Sequence, residues 1–222
     1  MRGVAPSILS ADFARLGAQV DEVLGAGAKV IHVDVMDGHF VPLLTMGPMV
    51  VDALAPSVHA AGAVLDVHLM VERPERHVEA FASAGADSVT VHAEATPHVH
   101  YALQQIREAG LRAGLAVNPG TPAEVIAEVA HDLDLALCMT VNPGWGGQPF
   151  IEHSLEKVRR IRALVGEAAT VQVDGGIGVK TVGPCAEAGA TLFVAGSNVF
   201  GTGDPAAAYA EISAAGGVEP SA

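Results

Sequence analysis

Basic residues are scarce in this chain: 12 Lys+Arg stand against 25 Asp+Glu in 222 residues, a formal charge of −13. That balance excludes a nucleic-acid or anionic-membrane surface, both of which need a basic patch. Long apolar runs are missing as well. Half of the residues are hydrophobic and mean hydropathy is +0.37, yet no uninterrupted stretch approaches the ~18–20 residues of a membrane-spanning helix. The opening Met1-Arg2-Gly3-Val4-Ala5-Pro6 meets Ser7, Ser10 and Asp12 at once, which is not how a signal peptide reads. Cysteine is nearly absent. Cys138 and Cys185 lie in apolar segments and read as buried thiols of a reducing compartment, not as a disulfide. No Ser/Gly linker or charge block marks a domain boundary. No Gly-x-Gly-x-x-Gly opens a helix after the first strand candidate, which speaks against a dinucleotide fold. What is left is a soluble, acidic, cytoplasmic globular protein, long enough at ~100–200 residues per domain for one generous domain with a sizeable core.

Short β-branched runs alternate with Ala/Glu/Arg-rich stretches along the whole chain. The strand candidates are 4–9, 30–35, 64–70, 88–92, 113–117, 135–141, 170–174 and 191–195. They are apolar almost throughout, as parallel strands covered on both faces should be. Amphipathic stretches fall at 13–24, 76–84, 98–109 and 155–165, and Thr121-Pro122 with Glu124 and Gly203-Asp204-Pro205 read as helix starts. Eight strands in 222 residues repeat about every 28, one βα increment each, which fits a closed eight-fold barrel. An open doubly wound sheet is the competing architecture on rhythm alone. The expectation is an α/β chain forming a single (β/α)8 TIM barrel over residues 1–222, with a frayed tail after about 214.

Functional residues of such barrels cluster at the C-terminal ends of strands and in the loops that follow. With a period of two, His32, Asp34 and Met36 share one face of the second strand candidate; Asp66, His68 and Met70 share one face of the third. The seventh ends Val171-Gln172-Val173-Asp174. Any one of these residues can be a satisfied buried polar group. Carboxylates brought into a barrel by several strands need compensation, because an unpaired buried charge costs several kcal/mol. One divalent cation held by His32, Asp34, His68 and Asp174 supplies it, and this ligand set suits Zn²⁺, Fe²⁺, Mn²⁺ or Co²⁺ without choosing among them.

Glycines carry the second signal. Asn142-Pro143-Gly144-Trp145-Gly146-Gly147-Gln148, Asp174-Gly175-Gly176-Ile177-Gly178 and Ala195-Gly196-Ser197-Asn198 each follow a strand candidate. Such loops bring backbone N–H groups close to an anion, and the loops after strands seven and eight are the usual phosphate site of these barrels. A small phosphorylated molecule is the natural ligand.

These segments together resemble the ribulose-phosphate 3-epimerase family. The resemblance is carried by Ala5-Pro6-Ser7-Ile8-Leu9-Ser10-Ala11-Asp12-Phe13, by His32-Val33-Asp34-Val35-Met36-Asp37-Gly38-His39-Phe40-Val41-Pro42 and by Asp66-Val67-His68-Leu69-Met70. The three glycine segments continue it in order, to about residue 212. It implies a metal-dependent barrel enzyme of the pentose phosphate pathway that interconverts D-ribulose 5-phosphate and D-xylulose 5-phosphate. It further implies that Asp34 and Asp174 are the acid–base pair and that Ser10 and His68 touch substrate. Gly144, Trp145, Gly146, Gly147, Gly175, Gly176, Gly196 and Ser197 would hold the substrate at its phosphate end, beside Asp174. Met36, Met70 and Met139 can be plain core filling; the resemblance makes them walls around the reacting carbons. A homo-oligomer is also implied, without an interface being located.

Inverting C3 of a ketose through an enediolate needs a group on each face of the intermediate, and two carboxylates can fill both roles. The chain departs from the family pattern at Leu43, where Asn is expected, and at Met46, Trp145 and Asn198. These leave open a 3-epimerase of another ketose phosphate, such as allulose 6-phosphate. The Asp-x-Lys-x-x-Asp pattern of related decarboxylases is absent. The three lysines, Lys29, Lys157 and Lys180, offer little to a Schiff-base aldolase.

Overall fold

A computed structural model describes residues 1–217. Eight parallel strands form one sheet: β1 (Gly3–Pro6), β2 (Val30–Met36), β3 (Val64–Met70), β4 (Ser88–His92), β5 (Arg112–Val117), β6 (Leu135–Met139), β7 (Thr170–Asp174) and β8 (Leu192–Ala195). Their order, β1-β8-β7-β6-β5-β4-β3-β2, is that of a ring, and the parallel bridge between Ser7 and His32 joins its two ends. Around the ring lie α1 (Leu16–Gly25), α2 (Pro48–Ala60), α3 (Val78–Ser83), α4 (Val99–Glu108), α5 (Ser154–Val165), α6 (Val182–Glu187), α7 (Ser197–Phe200) and α8 (Pro205–Ala215). A 3-10 helix, Ala123–Asp132, takes the place of an α-helix after β5. This is the (β/α)8 barrel expected from the rhythm. Among the described residues no helix is long and apolar enough to cross a membrane.

Alternation along each strand builds two cores. The outward residues of β2 and β3, Ile31, Val33, Leu65 and Val67, pack with helix residues such as Val51, Leu103 and Ile161 in the large layer between sheet and helices. The inward residues Ala5, Val30, Ala116, Leu135, Leu137 and Val194 fill the barrel. Each such Val or Leu contributes about 1.5–3 kcal/mol on burial. The helices are fixed at their ends by the expected chemistry: Asp204 accepts the Ala207 N–H at 3.0 Å ahead of Pro205 and starts α8. Lys157 of α5 is buried and donates from Nζ to the carbonyls of Asn118 at 2.8 Å and Pro119 at 2.6 Å, which anchors the loop after β5.

Several boundaries differ from the sequence expectation. The first strand stops at Pro6, because Ser7 turns its hydroxyl to accept the Leu9 N–H at 3.3 Å and residues Ile8–Ser10 form a 3-10 turn. The sixth ends at Met139, and the stretch 13–24 divides into a 3-10 turn capped by Asp12 and then α1. Helix α8 runs through Ala215; the part of the tail from 218 to 222 lies outside the described residues. Cys138 and Cys185 are free and buried, and burial pushes both thiols up to about 12.

Candidate active site and metal centre

In the parallel β2–β3 pair, His32 lies opposite Asp66, Asp34 opposite His68 and Met36 opposite Met70. The lowest layer is a polar knot. Asp66 takes His32 Nδ1–H at 2.8 Å, the Gln172 amide at 2.7 Å and the Ser88 hydroxyl, so both of its oxygens are engaged. Above it, His32, Asp34, His68 and Asp174 each turn one donor atom to a common point, all within 4.8 Å of one another. His68 Nδ1 stands 3.1 Å from Asp34 Oδ1 and 3.6 Å from Asp174 Oδ2. The second oxygen of Asp34 accepts the Ser7 hydroxyl.

One atom in this cluster is left over. His32 Nε2 is fully buried, lies 3.3 Å from Asp34 Oδ1, and has no hydrogen-bond partner. A buried ring nitrogen without a partner costs free energy unless something else takes its lone pair. With its Nδ1 proton committed to Asp66, that lone pair points at two carboxylates and a second imidazole, a donor set that suits a divalent cation. The residues present therefore fit a metal ion.

Burial works against ionisation of Asp34, but His32 and then His68 hold its carboxyl well below the usual range. Asp174 moves the other way: burial and the nearby Asp34 charge raise it, against the pull of His68. For His32, burial is outweighed by Asp34 and Asp66, and for His68 by Asp174 and Asp34, so both imidazoles move upward. Two neighbouring carboxylates whose affinities for a proton are pushed apart are the arrangement used for paired acid–base work.

A further pair extends from His68 into β4. His68 Nε2 meets His92 Nε2 at 2.8 Å, the two rings stack at 4.9 Å, and His92 Nδ1 faces Glu94 Oε2 at 3.3 Å. Burial brings His92 down to about 4. For Glu94, burial is outweighed by hydrogen bonds from His92, Thr121 and the Asn118 N–H, which bring the carboxyl down to about 2.

Over the cluster opens a pocket of about 500 Å³, counting its mouth. Asp34 and Asp174 reach it from below, and Met36, Met70 and Met139 line its sides, Met36 and Met70 packing with Val41 in a small apolar group. Ser10 and the three glycine segments, Gly144, Trp145, Gly146 and Gly147, Gly175 and Gly176, and Gly196 and Ser197, form much of the rest of the wall, to which no Lys or Arg contributes among the described residues. Gly175 and Gly176 have φ of +119° and +66°, and a Cβ on Gly175 would collide with Val141. This turn brings the backbone straight from Asp174 to the pocket wall. Gln148 braces the Trp145 loop, donating to the carbonyls of Asn142 at 2.6 Å and Trp145 at 3.0 Å. His32 and His68 are wholly buried beneath this wall. Leu43 lies outside it and is about half exposed, Met46 is core, and Asn198 ties the last two loops by donating to Ile177 O at 2.7 Å.

The family model described as "Ribulose-phosphate 3 epimerase family" matches residues 3–200. The chain belongs to the ribulose-phosphate 3-epimerase family. It is 51% identical over 213 residues to the ribulose-phosphate 3-epimerase of Bacillus subtilis, covering 94% of this chain and 97% of that one. It is 50% identical over 200 residues to that of Escherichia coli K12, covering 89% and 88%. Among solved structures, a 3-hexulose-6-phosphate synthase superposes with a TM-score of 0.74 at 20% identity, covering 96% of this chain and 99% of that chain; the likeness is one of fold. Membership of the ribulose-phosphate 3-epimerase family makes this barrel an epimerase.

Sequence reasoning did not single out Ser7, His92 or Glu94, and it left Asp66 without a task. β4 carried a usable signal: Ser88, Thr90 and His92 repeat the period-two polar face seen in β2 and β3.

Proposed function

We propose that this enzyme interconverts D-ribulose 5-phosphate and D-xylulose 5-phosphate by inversion at C3, with a divalent metal. The observation that carries the reading is the pair Asp34 and Asp174: carboxylates from β2 and β7 that line one pocket and both flank His68 Nδ1. One carboxylate takes the C3 proton as the enediolate forms. The other, protonated, returns a proton to the opposite face, and the reverse reaction exchanges the roles. His32, Asp34, His68 and Asp174 would hold the divalent cation, which would supply positive charge to stabilise the enediolate.

The remaining residues bind and shield. Backbone N–H groups of the segments at Gly146, Gly175, Gly176, Gly196 and Ser197 hold the phosphate without a basic side chain. Ser10, beside Gly146 and Gly196, hydrogen-bonds the sugar. Met36, Met70 and Met139 keep water from the reacting carbons, and Trp145, half exposed at the mouth, covers the bound sugar. The two buried free thiols suit a cytoplasmic setting.

The test is a coupled assay on D-ribulose 5-phosphate after chelation, with Zn²⁺, Fe²⁺, Mn²⁺ and Co²⁺ restored singly. Activity should disappear with the chelator and return with at least one ion; full activity in thoroughly metal-free protein overturns the metal requirement. Allulose 6-phosphate as a parallel substrate should turn over more slowly, and the opposite order reassigns the substrate.

A further inference from the structure

We propose that Glu94, acting through His92, is a positioning residue that decides which nitrogen of His68 carries its proton, and so keeps the Nδ1 lone pair turned to the metal centre. The inference rests on the metal reading above. His68 Nδ1 faces Asp34 and Asp174, the side on which a cation would sit. A ring nitrogen that gives its lone pair to a cation carries no proton, so the proton of a neutral His68 lies on Nε2. That nitrogen meets His92 Nε2 at 2.8 Å. Two imidazole nitrogens at this distance need one proton between them, so His92 Nε2 accepts and His92 carries its own proton on Nδ1. Nδ1 in turn faces Glu94 Oε2 at 3.3 Å.

Glu94 is itself held. Its other oxygen accepts the Asn118 N–H at 2.8 Å and the Thr121 hydroxyl, so the loop after β5 sets the carboxylate's direction. His92 is fully buried, stacked on His68, with the Phe40 ring 4.9 Å away on another side. The register of β2 and β3 explains why His68 needs a remote partner. Asp66, the inward carboxylate of β3, is taken up by His32, Ser88 and Gln172. The partner for His68 therefore comes from the next strand, as an imidazole with a carboxylate behind it. Such outer partners fix the tautomer of a ligating histidine and raise its basicity.

Zinc affinity, measured by competition with a chromogenic chelator, should fall in Glu94→Gln and fall further in His92→Phe, within about 10–100-fold. Nitrogen NMR of histidine-labelled, zinc-loaded wild-type protein should show His68 protonated on Nε2 and His92 on Nδ1, a readout that needs no variant and that a merely packed His92 would not give. Zinc affinities within about twofold of wild type in both variants, or a proton on His68 Nδ1 in the loaded protein, overturn the relay while leaving the metal site standing. If wild-type protein binds none of Zn²⁺, Fe²⁺, Mn²⁺ and Co²⁺, the metal reading falls and the relay with it. Should His92→Phe fail to fold, Glu94→Gln and the NMR decide.

Discussion

Asp34 and His68 are direct register partners across two parallel strands, and their side chains meet at 3.1 Å. Two residues earlier the same strands repeat the relationship with the types exchanged, His32 against Asp66, and two residues later they place Met36 against Met70. The site is thus a product of strand register. A slip of one residue in either strand would turn its three site side chains to the helix-facing side.

Asp34→Asn and Asp174→Asn should each lower turnover by about 10²–10⁴-fold or more while leaving the fold intact. The coupled assay measures the loss, and circular dichroism checks the fold. Robust activity in either variant is incompatible with the two-carboxylate mechanism.

Asp66→Ala should be among the most damaging single changes. It strips His32 Nδ1–H, the Gln172 amide and the Ser88 hydroxyl of their shared acceptor, at a cost of about 3–5 kcal/mol in urea denaturation. Asp66→Asn keeps the shape and should cost less stability, yet still weaken metal binding.

Gly175→Ala combines a φ of +119° with a collision against Val141. A loss of about 1–3 kcal/mol in thermal or chemical unfolding is expected. KM should rise as the proposed phosphate-binding wall is displaced.

Glu94 gives stability a defined pH dependence. Its folded-state carboxyl is lowered from 4.5 to about 2, so its contribution is complete above pH 4.5 and is lost as pH falls toward 2. With the side chain 24% exposed, the contribution is about 1–2 kcal/mol after allowance for solvent screening. Denaturation of wild type and Glu94→Gln across this range should show a gap that narrows as the solution is acidified; a gap that is constant with pH would refute the assignment.

Much of the barrel was legible because parallel strands buried on both faces are short, apolar and regularly spaced. The cluster His32, Asp34, His68 and Asp174 was legible because polar residues at period two in an otherwise apolar strand must face the barrel interior, where only a partner or an ion can offset their burial. Ser7 was hidden by the apolar run that carries the strand pattern on to Leu9, whereas the chain turns at Ser7 itself. Glu94 was hidden because its task depends on a loop from β5 and a ring from β3, neither of which is near it in sequence. Tertiary partners of this kind leave no local period.

The ring closes at one seam unlike the others. Among the described residues β1 and β2 are joined by the single Ser7–His32 bridge, whereas every other neighbouring pair of strands shares at least three residue pairs. Ser7 also holds the Asp34 carboxylate. The seam with the fewest strand bridges is therefore tied to the proposed acid–base pair: local opening there is expected to abolish activity before the hydrophobic layers come apart. Activity in this molecule is a gauge of whether the circle is shut.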